Sequence, residues 1–88
     1  MENFQVQVNM SVQVYTLLAG MSNAHLVEFP EGMILVDAGS PGSYGAILRK
    51  MRSLGRSDLL YIFITHAHFD HYGNAKILRQ KTGAKVAI

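Results

Sequence analysis

Leu59-Leu60-Tyr61-Ile62-Phe63-Ile64-Thr65-His66-Ala67-His68-Phe69-Asp70-His71 joins an unbroken apolar run to a loop dense in imidazole and carboxylate. The run, rich in Ile, Leu, Tyr and Phe, reads as a strand buried on both faces. A loop leaving the carboxyl end of such a strand stands where α/β sheets usually carry their sites. Its polar groups fall at i, i+2, i+4 and i+5. In extended backbone alternate side chains share a face, so His66 and His68 can grip one metal ion together. As the chain turns toward the next helix, Asp70 and His71 swing round and can face a second ion or the water of the first. Gly73 lets backbone approach closely beside that pocket.

Working outward, Ala75, Ile77 and Leu78 predict a short helix closed by Gly83, and Lys85 to Ile88 begins another strand. On the upstream side, Ser40 and Pro41 read as an N-cap and first helical residue. Tyr44, Ile47, Leu48, Met51 and Leu54 then recur at helical spacing, and Gly55 is placed to end the helix. Earlier still the period is two: Phe4, Val6, Val8, Met10, Val12 and Val14 alternate with polar residues. That run is long for one strand, so a bend or hairpin is expected near Asn9-Met10-Ser11. Gly20-Met21-Ser22-Asn23 is a turn signal. Strands over Ala24–Phe29 and Met33–Val36 follow, joined by Pro30-Glu31-Gly32. The expected fold is α/β, with a mixed sheet in which an antiparallel meander precedes β-α-β-α-β.

Composition narrows the chemistry. The 88 residues allow one small domain, and at 49% hydrophobic they are too apolar for a disordered chain. There is no cysteine, which removes disulfides and thiolate zinc sites and leaves imidazole and carboxylate as metal ligands. A net charge of +2 is too small to argue for nucleic acid. All Lys and Arg lie at or after Arg49, and Arg49, Lys50, Arg52 and Arg56 read as a solvated helix face. No apolar run approaches the roughly 20 residues that span a bilayer. The start lacks the charged and apolar regions of a signal peptide, so a soluble cytoplasmic protein without membrane partners is expected.

The motif His66-x-His68-x-Asp70-His71 resembles the signature of the metallo-β-lactamase superfamily. Ser22-Asn23-Ala24-His25-Leu26-Val27 resembles that family's early N-x-x-L/V strand, and Ile34-Leu35-Val36-Asp37-Ala38-Gly39 its LIDTG strand end. Gly73-Asn74-Ala75 resembles the glycine-led helix start beyond the loop. The resemblance runs in order from about Val12 to Ile88. It implies the N-terminal half of an αββα sandwich, two sheets between helices, with one or two ions at the sheet edges. The ions are usually zinc, with manganese or iron as alternatives for nitrogen and oxygen ligands. By position, His66 and His68 would hold the first ion, and Asp70 and His71 the second. A water activated by the metal would be the nucleophile, oriented or deprotonated by Asp70. Asp37 would stand behind the ligands, holding a histidine in its tautomer, or else serve as a turn aspartate before Gly39.

The family completes its site with a further histidine for the first ion, a bridging aspartate and a late histidine. Neither His nor Asp follows His71, and His25 matches no ligand position. The expectation is a single partial domain over residues 1–88, cut after its first ligand loop. The resemblance implies a hydrolase acting on a small-molecule ester, thioester, lactone or amide, with little activity in this chain alone. The alternative is a non-catalytic metal-binding fragment. Homo-oligomerisation or a missing C-terminal half would supply the remaining ligands. His68 disfavours flavin-linked diiron members, which carry a carboxylate there, and Phe69 disfavours tRNA-processing members, which favour glycine.

Overall fold

A computed structural model describes residues 12–40, 42–65 and 69–87, with residues 69–73 described as helical backbone alone. The expected alternation from Phe4 to Met10 lies outside the described residues. Five strands and two helices follow one another: β1 (Gln13–Ala19), β2 (Ser22–Phe29), β3 (Gly32–Val36), α1 (Tyr44–Ser53), β4 (Leu59–Phe63), α2 (Phe69–Thr82) and β5 (Lys85–Ala87). Spatial order equals chain order, β1-β2-β3-β4-β5. The first three strands pair antiparallel, while β3–β4 and β4–β5 pair parallel across the helical crossovers. The mixed sheet read from the two hydrophobic periods is therefore present. Among the described residues no helix is long and apolar enough to cross a membrane.

Turn chemistry sets the antiparallel part. Gly20 and Met21 alone join β1 to β2, with Gly20 at φ 73°, the positive value that a II′ hairpin needs at its first turn position. Ser22 and Asn23, expected in the turn, are already strand, pairing with Ala19 and Leu18. Pro30 and Glu31 make the next turn. Arg56, after α1, braces it: its guanidinium donates to Phe29 O at 2.8 Å and to Asp58 Oδ1 at 2.9 Å, and lies 3.6 Å from Glu28. Glu28 in turn accepts from the Tyr15 hydroxyl at 3.0 Å.

Two right-handed crossovers running the same way along a sheet put both helices on one face. The core confirms it. Ile47 and Met51 of α1 and Ala75 and Leu78 of α2 share one cluster with Ala24, Leu26, Met33, Leu35, Leu59 and Ile62. Leu26, Leu35 and Ile62 are fully buried, each worth about 1.5–3 kcal/mol relative to exposure. The opposite sheet face carries the alternate residues, in register rows Val14–Val27–Ile34–Tyr61 and Thr16–His25–Val36–Phe63–Ala87. Tyr61 is 41% exposed and Phe63 39%. The reading of Leu59–Ile64 as buried on both faces is thus corrected: the apolar run is real, but the described helices cover only one side of it. A register shift adds to the irregularity, since Leu59 pairs with Met33 and Tyr61 with Ile34, leaving Leu60 between.

The helix start is also corrected. α1 begins at Tyr44 with Ser43 at the N-cap, three residues after the serine expected there. Ser40 is spent elsewhere: its hydroxyl donates to Ala19 O at 3.2 Å and accepts from Met21 N at 2.9 Å, binding the tip of the first hairpin. Ser43 N donates back to Ser40 O at 3.2 Å, and Gly42 sits at φ 84° in the turn so closed. The Ser43 hydroxyl also turns to Ser40 O, so no side chain caps α1. The C-terminus follows expectation, with Gly55 at φ 69° just past the last turn.

Candidate metal centre

β3 and β4 run parallel and end side by side, with Val36 paired to Phe63. The next residue on β3, Asp37, donates its N–H to Phe63 O at 2.8 Å. Its φ is 61°, the left-handed region that costs a residue with a Cβ about 1–2 kcal/mol. Such strain persists only where surrounding contacts hold it, and here they are visible. The Asp37 carboxylate accepts from the Thr65 N–H at 3.0 Å and from the Thr65 hydroxyl at 3.0 and 2.8 Å. Thr65 immediately precedes His66. The base of the histidine loop is therefore tied to the end of the neighbouring strand through a carboxylate that the left-handed turn aims at it.

On the other side of the loop, α2 carries Asp70 and His71 in its first turn as backbone; the side chains of both, and the whole of His66 and His68, lie outside the described residues. How the four expected ligands face one another is thus not described, and neither is a contact between Asp37 and a histidine. Among the described residues no three His, Cys, Asp or Glu side chains gather. The donor set itself, three imidazoles and one carboxylate on a loop anchored at its base, fits zinc. His25 stands apart on β2, with its Nδ1 3.1 Å from the Thr16 hydroxyl.

Two anchoring residues escaped the sequence reading. Thr65 reads in the sequence only as the first residue of the histidine loop, with no partner assigned to it. Asn74 reads only as part of a glycine-led helix start, yet it is fully buried. Its amide nitrogen donates to Ala38 O at 2.8 Å, to Ser40 O, and to the Ser43 hydroxyl at 3.1 Å. Its oxygen accepts from Gly42 N at 2.9 Å. The signal that could have found it is a strongly polar residue directly ahead of the Ala75, Ile77 and Leu78 apolar stripe. Gly39 permits the same crowding: at φ 78°, a Cβ there would stand 2.3 Å from the Ala19 Cβ.

Comparison with known proteins places this geometry in a family. The model of the metallo-beta-lactamase superfamily matches residues 17–88. The YobT protein of Bacillus subtilis (strain 168) is 43% identical over 67 residues, covering 75% of this chain and 28% of its own length. An N-acyl homoserine lactonase of Bacillus thuringiensis is 35% identical, covering 73% of this chain and 38% of the lactonase. Among solved structures, the class B3 di-zinc metallo-beta-lactamase LRA-12 from an Alaskan soil metagenome superposes with a TM-score of 0.75. It is 27% identical, and the match covers 86% of this chain and 30% of the lactamase. The chain thus spans about a third of these proteins, and its mixed five-stranded sheet with two helices matches the N-terminal part of their fold. On the family match and on the fold together, this chain belongs to the metallo-beta-lactamase superfamily.

Proposed function

We propose that the chain is the N-terminal, ligand-bearing part of a zinc-dependent hydrolase that cleaves an ester, thioester, lactone or amide of a small molecule. The observation that carries the reading is the tether from Asp37 to Thr65, which fixes the root of His66-x-His68-x-Asp70-His71 at the carboxyl end of β4. Family membership supports it, as do relatives that include an N-acyl homoserine lactonase and a di-zinc metallo-beta-lactamase. His66 and His68 would hold one zinc, and Asp70 and His71 a second. Bound zinc supplies Lewis acidity, polarising a carbonyl and acidifying water toward neutral pH. Asp70 would orient or deprotonate the attacking water. Asp37 keeps the loop from drifting, which matters because misplacement by about 1 Å can cost a hundredfold in rate.

Catalytic zinc generally takes three protein ligands and a water, so the 88-residue chain alone is expected to turn over little. The test is hydrolysis of an acyl-homoserine lactone, a thioester and a cephalosporin by this chain, with and without zinc. Fast, chelator-insensitive hydrolysis would refute the reading. A second reading, metal binding without turnover by a self-associated chain, is favoured by the exposed apolar face. That face carries Val14, at 62% exposure, and Leu18, at 72%, on β1, and Tyr61 and Phe63 on β4, with β2 and β3 between them. A second copy docked on that face would bury it. Sedimentation showing a monomer at every concentration would remove this reading.

A further inference from the structure

We infer that Asn74 is a positioning residue that locks the first turn of α2 against the β3–α1 loop, and so sets where Asp70 and His71 stand; the inference rests on reading those two as ligands. Asn74 is the sixth residue of α2, and asparagine is a poor choice inside a helix. It is also fully buried, where an amide is costly unless its polar groups are bonded. Packing alone would be served by alanine or leucine. The amide is instead bonded on both sides, and every described partner lies between Ala38 and Ser43.

The orientation of the amide is set by chemistry. Carbonyl oxygens of Ala38 and Ser40 can only accept, so they face the nitrogen, and the Gly42 N–H can only donate, so it faces the oxygen. One side chain thereby reads both polarities of a single loop, which specifies one helix position along and around its axis. That loop is held in turn. Ser40 N donates to Ala19 O at 2.9 Å, and its hydroxyl grips the hairpin tip. Asp70 and His71 lie four and three residues before Asn74, one turn along the same helix. Asp37 anchors the start of the histidine loop from β3, and Asn74 anchors its end from the segment just beyond Asp37. Both clamps close on adjoining residues, 37 and 38–43, so the loop is held at its two ends by one stretch of chain.

The test compares Asn74→Ala and Asn74→Asp with Leu78→Ala, a core truncation in the same helix that leaves the clamp intact. Ser43→Ala, which removes one partner of the amide, serves if Asn74→Ala does not fold. Cobalt(II) is titrated into each folded full chain and followed by its visible absorption, and amide exchange is read without metal. Asn74→Ala is expected to lose about 10–100-fold in cobalt affinity, the usual cost of removing a group behind a ligand. It is also expected to lose exchange protection locally, at the amides of Ser40, Gly42 and Ser43 and at residues 73–75, whose helical N–H groups bond back to the carbonyls of 69–71. Asn74→Asp should behave like it, because a carboxylate oxygen would face the Ala38 and Ser40 carbonyls. Leu78→Ala should bind cobalt as the parent does. Equal cobalt affinity in Asn74→Ala and Leu78→Ala would overturn the inference. Should the parent take up no cobalt, the ligand reading fails separately and exchange decides. Local loss then upholds the lock, and uniform loss overturns it.

Discussion

Asp37→Ala is the substitution whose effect follows most directly from the described geometry. The Asp37 carboxylate serves two donors of Thr65, the N–H and the hydroxyl. Bonds to a charged group contribute about 1.5–3 kcal/mol each; these are solvent-exposed, so the lower figure applies and the pair is worth about 3 kcal/mol. A domain of this size has roughly 4–13 kcal/mol in total, so the loss is a large share. With a urea slope of about 1 kcal/mol/M, the unfolding midpoint should fall by about 3 M. Thr65→Val removes the hydroxyl alone and should lower it by about half as much. Asp37→Gly loses both bonds but relieves the left-handed backbone, φ 61°, recovering about 1 kcal/mol. The predicted order of stability is therefore Thr65→Val, then Asp37→Gly, then Asp37→Ala, measured by circular dichroism in urea. Asp37→Gly falling below Asp37→Ala, or Asp37→Ala within about 0.5 kcal/mol of the parent, a shift ordinary for surface substitutions, would refute the clamp.

Arg56, by its hydrogen bonds, holds the Asp58 carboxyl below its ordinary value of 3.8. A depressed folded value means the pair stabilises the fold fully above 3.8 and ceases to as pH falls through that lower value. Arg56→Met should accordingly flatten the loss of stability below about pH 4, seen in acid unfolding curves. Replacing Tyr61 and Phe63 by serine should weaken binding of an apolar dye and lower any self-association, with little effect on helix content. Undiminished dye binding would move the exposed patch elsewhere. Leu35→Ala, at a fully buried position, should cost about 2–5 kcal/mol in the same urea assay.

The elements legible in the sequence are those whose signal is local. The change from period two to period 3.6 separated β1–β3 from α1, and the glycines at 20, 55 and 83 all stand where a strand or helix gives way. Partners far along the chain decided the rest. Ser40 has the residue type of an N-cap, yet a hairpin tip 21 residues earlier takes its hydroxyl, and the helix starts at Tyr44 instead. Tyr61 and Phe63 carry the hydrophobicity of a doubly buried strand, but which face is covered depends on the handedness of two crossovers. Asn74 stands out only as a polar residue ahead of an apolar stripe; the fold alone brings the Ala38–Ser43 loop to it, 31 to 36 residues away along the chain. At the site, the sequence supplied the four candidate ligands and Asp37, while Thr65 as the partner of Asp37 required the two strand ends to be seen together.

The most direct test of the central claim is a calorimetric titration of zinc into the metal-free chain, repeated with His66→Ala and with Asp70→Ala. The account predicts one or two ions bound per chain, with protons released to the buffer as the metal displaces them from any protonated ligand. His66→Ala should abolish the tighter event, and Asp70→Ala should remove or weaken the other. Absence of zinc binding, or binding that neither substitution alters, would contradict the assignment of His66, His68, Asp70 and His71 as the metal centre.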